Sequence, residues 1–574
     1  VTVTTRGPTT SPQPTMLPSI LPSSPSNLPT ELPSAPSAAT TIAPSISPTA
    51  FVSYSPWQLA NPFARTLNYY VNPSYQQELQ SSIVTATGQT KLTLQSMMQV
   101  SSAYWIDVKS KINGLDTSSV QGILMDAASK PQKQLVTLII YDLPNRDCHA
   151  KASNGEICCT YNSDRTCNYD AAGTCSAGIL EYETTYIDPI YAVLSQYDNL
   201  VEIVLIIEPD SLPNLATNMA DPHCGNTATT AAYKAGIAYA VNKFKGLHVT
   251  MYLDGAHGGW LGWTDNLQQF TTLVVSTLGS NLASLRGFST NVANYQPVGI
   301  MCPFQSNDGV RNDYCLNGQH QTDPCCADPC KLESQYNPGN NELNYINVLY
   351  RSMRAAAPAF TPYFVIDTGR NGVGNMRSNC ANWCNARGAG IGMLPTAATA
   401  APALVDAYFW LKTPGESDGC TQLLPDGSTC PRYDSFCGSV DSIGSGAGEP
   451  RAPQAGGWFD YQIKQLAANA LLLDYSTGNN PPMNAPSPSP QFSPSVSVPT
   501  TPTVVNPFLI CQYGGYCRTD SDCVRGNKCN VQSQYYSQCV FDSSQSLSPS
   551  TGCLADYSTQ CGSGSVCCNP GSLC

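Results

Sequence analysis

Two aspartates follow two of the most apolar stretches of the chain. Residues 200–212 read LVEIVLIIEPDSL and contain Asp210, and residues 135–144 read LVTLIIYDLP and are followed by Asp147. Such dense Val, Leu and Ile over so few residues predict strands that are buried on both faces. A carboxylate at the end of a buried strand is costly unless it has a partner or a function. We therefore expect Asp147 and Asp210 to face each other across one active site.

Two carboxyl groups in this arrangement suit the hydrolysis of an acetal. One group must protonate the leaving oxygen, and a base or nucleophile must serve the anomeric carbon. Two acids can divide these roles when their surroundings separate their pKa values. A charged Asp147 near Asp210 would raise the pKa of Asp210 and make it the proton donor. The structural alternative is that one carboxylate pairs with Arg146 while the other caps a helix.

Four tryptophans are candidates for binding a sugar. Trp260 and Trp263 lie in DGAHGGWLGW, just after a predicted strand, and Trp105 and Trp383 lie near strand ends or in loops. Sugar rings stack on aromatic planes, so exposed tryptophans in a row predict a glycan-binding track. Core packing is the commoner role of a single Trp. The glycines that flank Trp260 and Trp263 leave little bulk around them, which favours a ligand at these two.

The elements that must position these residues alternate along the chain. The pattern predicts strands at residues 103–108, 135–144, 200–210, 249–254, 287–292, 363–368 and 408–412. It predicts helices at residues 73–103, 183–197, 227–245, 265–283, 341–357 and 459–472. This alternation implies an α/β fold with a parallel sheet, and the number of units favours a closed or nearly closed barrel. Polar residues cluster after the predicted strands, where such barrels carry their chemistry: Asp147, Asp210, Asp254, His257, Asn291, Asn294, Asp367 and Lys412.

Composition restricts the partners and the compartment. With 28 Lys and Arg against 40 Asp and Glu, the net charge is −12, which argues against nucleic acid as a partner. The 26 Cys and only 5 His favour disulfides in an oxidising compartment over zinc, and we expect no metal and no cofactor. No apolar run is long enough to span a membrane. We expect a secreted, extracellular protein that has lost its leader, or a fragment of one, acting as a monomer.

Pro, Ser and Thr divide the chain into five parts. Residues 1–50 form a Pro/Ser/Thr-rich segment that cannot build a core, and residues 477–507 form a similar linker. We assign the catalytic domain to residues 51–476. A cysteine-dense module follows at residues 508–545, and residues 546–574 are a Cys-rich tail of unknown role.

Nine stretches, in order along the chain, resemble glycoside hydrolase family 6, and most closely its fungal-type cellobiohydrolases. They are YDLPNRDC (141–148), ASNGE (152–156), IEPDSLPNLATN (207–218), YLDGAHGGWLGW (252–263), NVANY (291–295), DTGRNG (367–372), NWCN (382–385), KTPGESDG (412–419) and PQAGGWF (453–459). The resemblance implies a distorted, incomplete β/α barrel of about seven strands with long disulfide-linked loops. It also implies inverting hydrolysis of β-1,4-glucan from the non-reducing end, with cellulose and cello-oligosaccharides as partners.

The resemblance also implies roles for single residues. Asp210 is similar to the general acid, Asp147 to the partner that sets its pKa, and Asp418 to the disputed base. Tyr141 matches a tyrosine beside the reacting sugar, and Ser153 matches a serine that holds the attacking water. Substrate-binding positions match Trp105, Asp107, Arg146, His257, Trp260, Trp263, Asn294, Trp383, Lys412 and Glu416. Disulfides of the family match Cys148–Cys224 and Cys384–Cys437. Glu208 is left with a structural role.

Two long loops, at residues 148–182 and 412–457, are similar to those that roof the tunnel of exo-acting members, so we expect processive release of cellobiose. The first loop carries four extra Cys, and residues 299–339 form a Cys-rich insertion. Either segment could tighten or obstruct the tunnel, which leaves an endo-acting glucanase of the same family open. A non-catalytic glycan-binding wall protein is the alternative of a different class, and the presence of all three aspartates argues against it.

The block at residues 508–545 resembles a family 1 cellulose-binding module. Its aromatic face would be Tyr535 and Tyr536, with Gln538 as a polar partner. The implied bridges are Cys511–Cys529 and Cys523–Cys539. The alternative is a small disulfide knot with incidental tyrosines.

Overall fold

The computed structural model describes residues 60–470, apart from residues 67, 170–172, 317 and 319, and the backbone of four short strands between residues 527 and 568. Seven parallel strands form one sheet whose spatial order follows the sequence. They are β1 (Tyr104–Ile106), β2 (Leu135–Ile140), β3 (Glu202–Ile207), β4 (Val249–Asp254), β5 (Gly287–Thr290), β6 (Tyr363–Asp367) and β7 (Val405–Phe409). The predicted α/β fold with about seven parallel strands is confirmed.

Helices connect successive strands from β1 to β6, as is usual for parallel connections, whereas the segment between β6 and β7 has no helix. The helices are α1 (Pro62–Arg65), α2 (Pro73–Ile83), α3 (Gly88–Met97), α4 (Val120–Ser129), α5 (Ser176–Glu181), α6 (Asp188–Gln196), α7 (Ser211–Thr217), α8 (Pro222–Gly225), α9 (Thr227–Phe244), α10 (Gly258–Leu261), α11 (Thr264–Leu278), α12 (Glu342–Ala356) and α13 (Asp460–Ala468). A π-helical turn at Tyr182–Ile187 joins α5 to α6. Short 3₁₀ helices lie at Lys109–Lys111, Gly279–Ser284, Pro324–Cys326, Glu333–Gln335 and Ser435–Gly438.

Several elements differ from the sequence prediction, and the helix α4 (Val120–Ser129) is among those that it misses. The helix expected at residues 73–103 is two helices, α2 and α3, and Gly88 at the start of α3 has a φ of +55°, which suits glycine. Strand β7 begins at Val405, three residues before the predicted start. The charged Asp406 hides this beginning in the sequence. In the structure its carboxylate is buried and accepts hydrogen bonds from Arg286 Nε at 2.8 Å and from Tyr252 Oη at 2.7 Å.

The sheet curls into a barrel that stays incomplete. Among the described residues, β1 and β7 form no strand ladder with each other. Only isolated bonds cross the gap: Ala103 N–H donates to the Trp410 carbonyl at 2.9 Å, and Trp105 Nε1 donates to the Leu411 carbonyl at 2.9 Å. The gap between β1 and β7 is therefore open enough for side chains to line it.

Successive strand residues face opposite sides of the sheet, and both sides are buried. In β3, Val204 and Ile206 point into the barrel, where they pack with Ile139 and Phe409. The alternate residues of the same strand pack outward against the helices. A strand buried on both faces explains why its sequence is almost continuously apolar.

Eight disulfides stabilise the loops of the described region. The two bridges implied by the family resemblance are present: Cys148–Cys224 and Cys384–Cys437. The other six are Cys158–Cys167, Cys159–Cys175, Cys302–Cys325, Cys315–Cys326, Cys330–Cys380 and Cys420–Cys430. The Cys-rich insertion follows β5. No helix between residues 60 and 470 is both long and apolar enough to cross a membrane.

Beyond residue 470 the structure describes two antiparallel strand pairs, the first in the module at residues 508–545 and the second in the Cys-rich tail. They are β8 (Asn527–Ser533) with β9 (Tyr536–Phe541), and β10 (Thr559–Cys561) with β11 (Val566–Cys568). The backbone register sets Cys529 opposite Cys539. Tyr535, Cys511 and Cys523 lie outside the described residues, so the proposed bridges and the aromatic face of the module stay predictions.

Candidate active site

A cavity of about 540 Å³ opens at the carboxyl ends of the strands. Active sites of β/α barrels lie at this end. The cavity is lined by every residue of the catalytic domain that the sequence singles out for catalysis or sugar binding: Trp105, Asp107, Tyr141, Arg146, Asp147, Ser153, Asp210, His257, Trp260, Trp263, Asn294, Trp383, Lys412, Glu416 and Asp418. The structure brings all fifteen together, although they are spread over more than 300 residues of sequence.

Asp147 and Asp210 take similar places after neighbouring strands. Asp147 follows β2 with a φ of +61°, and Asp210 follows β3 with a φ of +67°. Non-glycine residues rarely adopt this left-handed conformation, and functional sites are where such strain gathers. Asp147 Oδ2 accepts the backbone N–H of Ser153 at 2.8 Å, and the backbone N–H of Asp210 donates to Asp254 Oδ2 at 3.0 Å. Backbone bonds therefore fix both residues beside the cavity.

Burial raises the pKa of both carboxyls. It raises the pKa of Asp147 to about 8, with the charge of Asp210 as the second cause, and the pKa of Asp210 to about 6. From the sequence we expect the proton on Asp210 and the charge on Asp147, whereas these values favour the proton on Asp147. Two interacting acids lose their protons as a pair. The substrate-free site therefore holds a proton near neutral pH, and Asp147 is the preferred place for it.

Arg146 does not form an ion pair with either of these aspartates. Its closest carboxylate is Asp142, with Nη1 and Oδ1 3.2 Å apart. The other guanidinium bonds go to backbone carbonyls, including those of Ser153 and Asp107, each at 2.8 Å. The structural alternative, in which Arg146 neutralises Asp147 or Asp210, is therefore wrong for this site. Arg146 instead ties the loop after β2 to the end of β1.

Glu208 lies behind the site and is fully buried. Its Oε1 accepts the hydroxyl of Tyr182 at 2.7 Å and the backbone N–H of Asp142 at 3.2 Å. These bonds hold β3 to the turn that follows β2. They support the structural role expected for Glu208.

Asp418 is held by a dense set of donors. Nη1 of Arg370 donates to both carboxylate oxygens, at 2.8 and 2.7 Å. Oδ2 also accepts the Tyr295 hydroxyl at 2.9 Å and the backbone N–H of Asn385 at 2.8 Å. These four hydrogen bonds fix the position of the Asp418 carboxyl, which also lines the cavity.

Aromatic rings and a cation line one side of the cavity. The rings of Trp105 and Tyr141 meet edge to face, with centroids 5.1 Å apart. Lys412 Nζ lies 5.3 Å from the centre of the Trp105 ring and 3.3 Å from Oε2 of Glu416. Asp107, at the end of β1, pairs with Lys111 at 2.6 Å. This side offers a flat ring together with charged hydrogen-bonding groups, which suits a polyhydroxylated ligand.

The loop after β4 supplies the opposite side. His257 Nε2 lies 3.0 Å from Asn294 Nδ2, so His257 accepts this bond and its Nδ1 carries the ring proton. Burial lowers the pKa of His257 to about 3, so the ring is neutral. The indole N–H of Trp260 donates to Thr217 Oγ1 at 2.8 Å, and that of Trp263 donates to the Gln335 carbonyl at 2.9 Å. The tryptophan rings are fixed by these bonds and half-buried.

The loops after β2 and β7 meet above the site. The backbone N–H of Lys151 donates to Asp434 Oδ2 at 2.9 Å, and Arg432 Nη1 donates to the Asn154 carbonyl at 3.2 Å. Ala152 also packs in a small apolar cluster with the Cys384–Cys437 bridge, beside Trp383 and Phe436. Residues of both loops line the cavity, and we call the contacts that join the loops the roof.

A family model for glycosyl hydrolases family 6 matches residues 64–470. The chain belongs to this family. Exoglucanase 3 of Agaricus bisporus is 35% identical to it over 405 residues, which cover 70% of this chain and 77% of that protein. The 1,4-beta-D-glucan cellobiohydrolase C of Emericella nidulans is 36% identical over 422 residues, covering 71% and 78%. The family resemblance read from the motifs is confirmed.

Solved structures of family 6 proteins share the fold. The chain is similar to cellobiohydrolase II (Cel6A) from Humicola insolens in complex with glucose and cellotetraose, with a TM-score of 0.56 and 31% identity over 72% of this chain and 99% of that one. It is also similar to CcCel6C from Coprinopsis cinerea, with a TM-score of 0.55 and 30% identity over 72% and 98%.

Several residues of this family 6 site cannot be identified from the sequence alone. Arg370 and Tyr295, which hold Asp418, lie inside motifs that resemble the family. The signal that could have identified Arg370 is a lone Arg after a predicted strand. Arg432 and Gln335 lie in the Cys-rich loops, where no periodicity or motif predicts which side chain or carbonyl reaches the cavity. Their contacts depend on disulfide pairing, which spacing alone leaves open.

Proposed function

We propose that this chain is a cellulase that hydrolyses the β-1,4-glucosidic bonds of cellulose with inversion, acts from the non-reducing end and releases cellobiose. The observation that carries the proposal is the pair Asp147 and Asp210, a buried and a half-buried carboxyl with raised pKa values in one cavity. A proton held near neutral pH is what the leaving oxygen of a glucosidic bond requires. The names of the relatives, an exoglucanase and cellobiohydrolases, support cellulose as the substrate.

Asp147 and Asp210 have different roles in bond cleavage. With the shared proton on Asp210, that residue protonates the glucosidic oxygen as the bond breaks. Asp147 is then negatively charged and stabilises the positive charge that develops on the sugar ring. Its Oδ2 stays fixed by the backbone N–H of Ser153. Once the product leaves, the pair takes up a proton from solvent and the site is restored.

Water completes the reaction from the opposite face of the sugar, as inversion requires. The Ser153 hydroxyl is the group we assign to hold this water. Asp418 receives the proton through a second water at Oδ1, which accepts one hydrogen bond, whereas Oδ2 accepts three. Asp418 then releases this proton to solvent, which restores its ion pair with Arg370 for the next cycle.

The contacts between the two long loops favour attack at the ends of glucan chains. Lys151 and Asp434, together with Asn154 and Arg432, join the two long loops above the cavity. A chain must thread beneath these contacts, which favours entry by an end over binding in the middle of a chain. We assign Trp105, Trp260, Trp263 and Trp383 as stacking platforms along this path.

The proposal also covers the compartment of the enzyme and its attachment to the substrate. We propose that the chain is secreted and acts as a monomer, which the eight disulfides of the described region support for the compartment. Residues 508–545 are proposed to bind cellulose through Tyr535, Tyr536 and Gln538. A tethered module of this kind raises the concentration of the catalytic domain at the fibre.

The test is the Asp210→Asn variant of the full chain, assayed on amorphous cellulose by the release of soluble reducing sugar. We expect the rate to fall at least about a hundredfold, since asparagine cannot deliver the proton and general acid catalysis contributes about 10²–10⁴-fold. Asp265→Asn is the matched control, because this aspartate is exposed at the start of α11 and does not line the cavity. Hydrolysis by Asp210→Asn at the wild-type rate would contradict the mechanism.

The products of the wild-type enzyme test the direction of attack. We expect cellobiose as the main soluble product and a slow loss of viscosity on carboxymethylcellulose. A burst of mixed long oligosaccharides with a rapid loss of viscosity would instead support an endo-acting glucanase.

A further inference from the structure

The Cys-rich insertion, residues 299–339, is a rigid part of the barrel rim. Two internal bridges, Cys302–Cys325 and Cys315–Cys326, bury four sulfurs within 4.8 Å of one another. A third bridge joins Cys330 to Cys380, in the segment after β6. The insertion is therefore cross-linked both within itself and to its neighbour.

The end of the insertion reaches the active-site cavity. Cys330, Leu332 and Gln335 line it, and so does Cys380 on the other side of the bridge. The carbonyl of Gln335 accepts the indole N–H of Trp263 at 2.9 Å. The insertion thus fixes the ring of a tryptophan that we assign as a sugar platform.

Tyr336 directly follows the residue that holds Trp263. Its side chain is 71% exposed, the backbone φ is +59°, and it ends the 3₁₀ turn at Glu333–Gln335. A bulky aromatic residue in the left-handed region is uncommon, and strain of this kind gathers at binding sites. The neighbouring Asn337 is fully buried, and its Nδ2 donates to the Gly258 carbonyl at 2.9 Å. Tyr336 is therefore anchored next to the turn that carries Trp260.

We propose that Tyr336 is a further glucosyl-binding platform, added by the insertion beside Trp263, for the part of a β-1,4-glucan chain that extends beyond the cavity. The inference rests on the proposed function and extends it to substrate length. The Gln335 carbonyl fixes the Trp263 ring, and the buried Asn337 fixes the backbone next to Tyr336, so little backbone freedom is lost when a sugar stacks on Tyr336. The Cys330–Cys380 bridge keeps the insertion in this place. Long chains should therefore gain more from this subsite than short ones.

The test compares long and short substrates with the full chain. The measured quantity is the ratio of kcat/KM on amorphous cellulose to kcat/KM on cellotetraose. We expect Tyr336→Ala to lower this ratio about fivefold, the effect of losing one aromatic contact. Tyr336→Phe should restore it, because the ring is kept. The control is Leu200→Ala, which removes an apolar side chain that is 58% exposed, lies before β3 and does not line the cavity.

A binding measurement separates this inference from the proposed function. In the Asp210→Asn background, adding Tyr336→Ala should weaken binding of the soluble oligosaccharide cellohexaose about fivefold in titration calorimetry, whether or not the wild type hydrolyses it. An unchanged ratio together with unchanged binding would overturn the subsite while leaving the cellulase assignment intact. A wild type that hydrolyses neither substrate would overturn the proposed function, and the binding assay would still decide the subsite.

Discussion

Arg370 and Asp418 form a buried ion pair at the edge of the cavity, in which Nη1 of the arginine donates to both carboxylate oxygens at 2.8 and 2.7 Å. The side chains are 1% and 4% exposed. Arg370 also donates through Nη2 to the Ala293 carbonyl at 2.7 Å, and its guanidinium lies 4.5 Å from the ring centre of Tyr295. The pair joins the chain that follows β5, β6 and β7, so it acts on stability as well as on chemistry.

Removing one member of this pair should destabilise the fold strongly. We expect Arg370→Met to lower the free energy of unfolding by about 3–5 kcal/mol, because it leaves the buried carboxylate of Asp418 without its counter-charge. Urea unfolding followed by tryptophan fluorescence measures this change. Lys464→Met is the control, since it breaks a pair with the 53% exposed Asp460 and should cost less than about 1 kcal/mol. Equal losses in the two variants would contradict the assignment.

Much of this architecture follows from local sequence. The seven strands are predictable because those that are buried on both faces, such as Glu202–Ile207, read as short apolar runs. The pairing of Asp147 and Asp210 in one cavity follows as well, since the carboxyl ends of parallel strands meet at one edge of the sheet.

Other features depend on contacts that no local pattern records. The start of β7 is hidden by Asp406, whose charge is tolerated only because Arg286 lies 2.8 Å away, 120 residues earlier in the chain. The insertion at residues 299–339 reaches the cavity through the Cys330–Cys380 bridge, one of many pairings that 26 cysteines allow. The pKa values of Asp147 and Asp210 depend on burial in three dimensions. Asp147 has the higher value of the two, whereas the motif suggests that Asp210 should have it.

The disulfides should differ in their contribution to stability according to the loop that each one closes. Cys148–Cys224 spans 76 residues and Cys158–Cys167 spans 9. In the chain-entropy model the longer loop contributes about 2 kcal/mol more. We therefore expect Cys148→Ala/Cys224→Ala to lower the free energy of unfolding by about 2 kcal/mol more than Cys158→Ala/Cys167→Ala, measured by urea unfolding. The opposite order would mean that strain or residual structure, rather than loop closure, dominates these bridges.

The acid pair should make stability depend on pH. Because the pKa of Asp147 is about 8 and that of Asp210 about 6, against 3.8 for a free side chain, the folded chain binds more protons than the unfolded chain between these values. Their contribution to the free energy of unfolding is therefore present at low pH and falls as pH rises through this window, by up to about 1.4 kcal/mol per group and pH unit.

Asp147→Asn should remove part of this pH-dependent decrease in the free energy of unfolding. Its stability relative to the wild type should be higher at pH 7 than at pH 5, because asparagine carries no charge that must be buried. Urea unfolding at the two pH values measures the difference, and the exposed Asp265→Asn should shift stability equally at both. A difference between Asp147→Asn and the wild type that does not change with pH would show that Asp147 titrates outside the window.

The roof contacts should control where the enzyme attacks a chain. The Lys151–Asp434 and Arg432–Asn154 hydrogen bonds join the loops after β2 and β7. Two such bonds contribute about 2 kcal/mol, so their loss should raise the open fraction of the roof about thirtyfold. We expect Arg432→Ala/Asp434→Ala to form more insoluble reducing ends per soluble product on amorphous cellulose and to lower the viscosity of carboxymethylcellulose faster.

Arg451→Ala is the matched control for the roof, because this exposed arginine lies in the same loop and makes only a 3.4 Å contact with the Leu424 carbonyl. Its product profile should equal that of the wild type. If the double variant also kept the wild-type profile while binding cellulose normally, the disulfide Cys384–Cys437 and the packing of Ala152 against it would have to hold the roof without those two bonds. Adding Cys384→Ala/Cys437→Ala to the double variant would then be expected to open the tunnel, since Ala152 of the loop after β2 packs against this bridge.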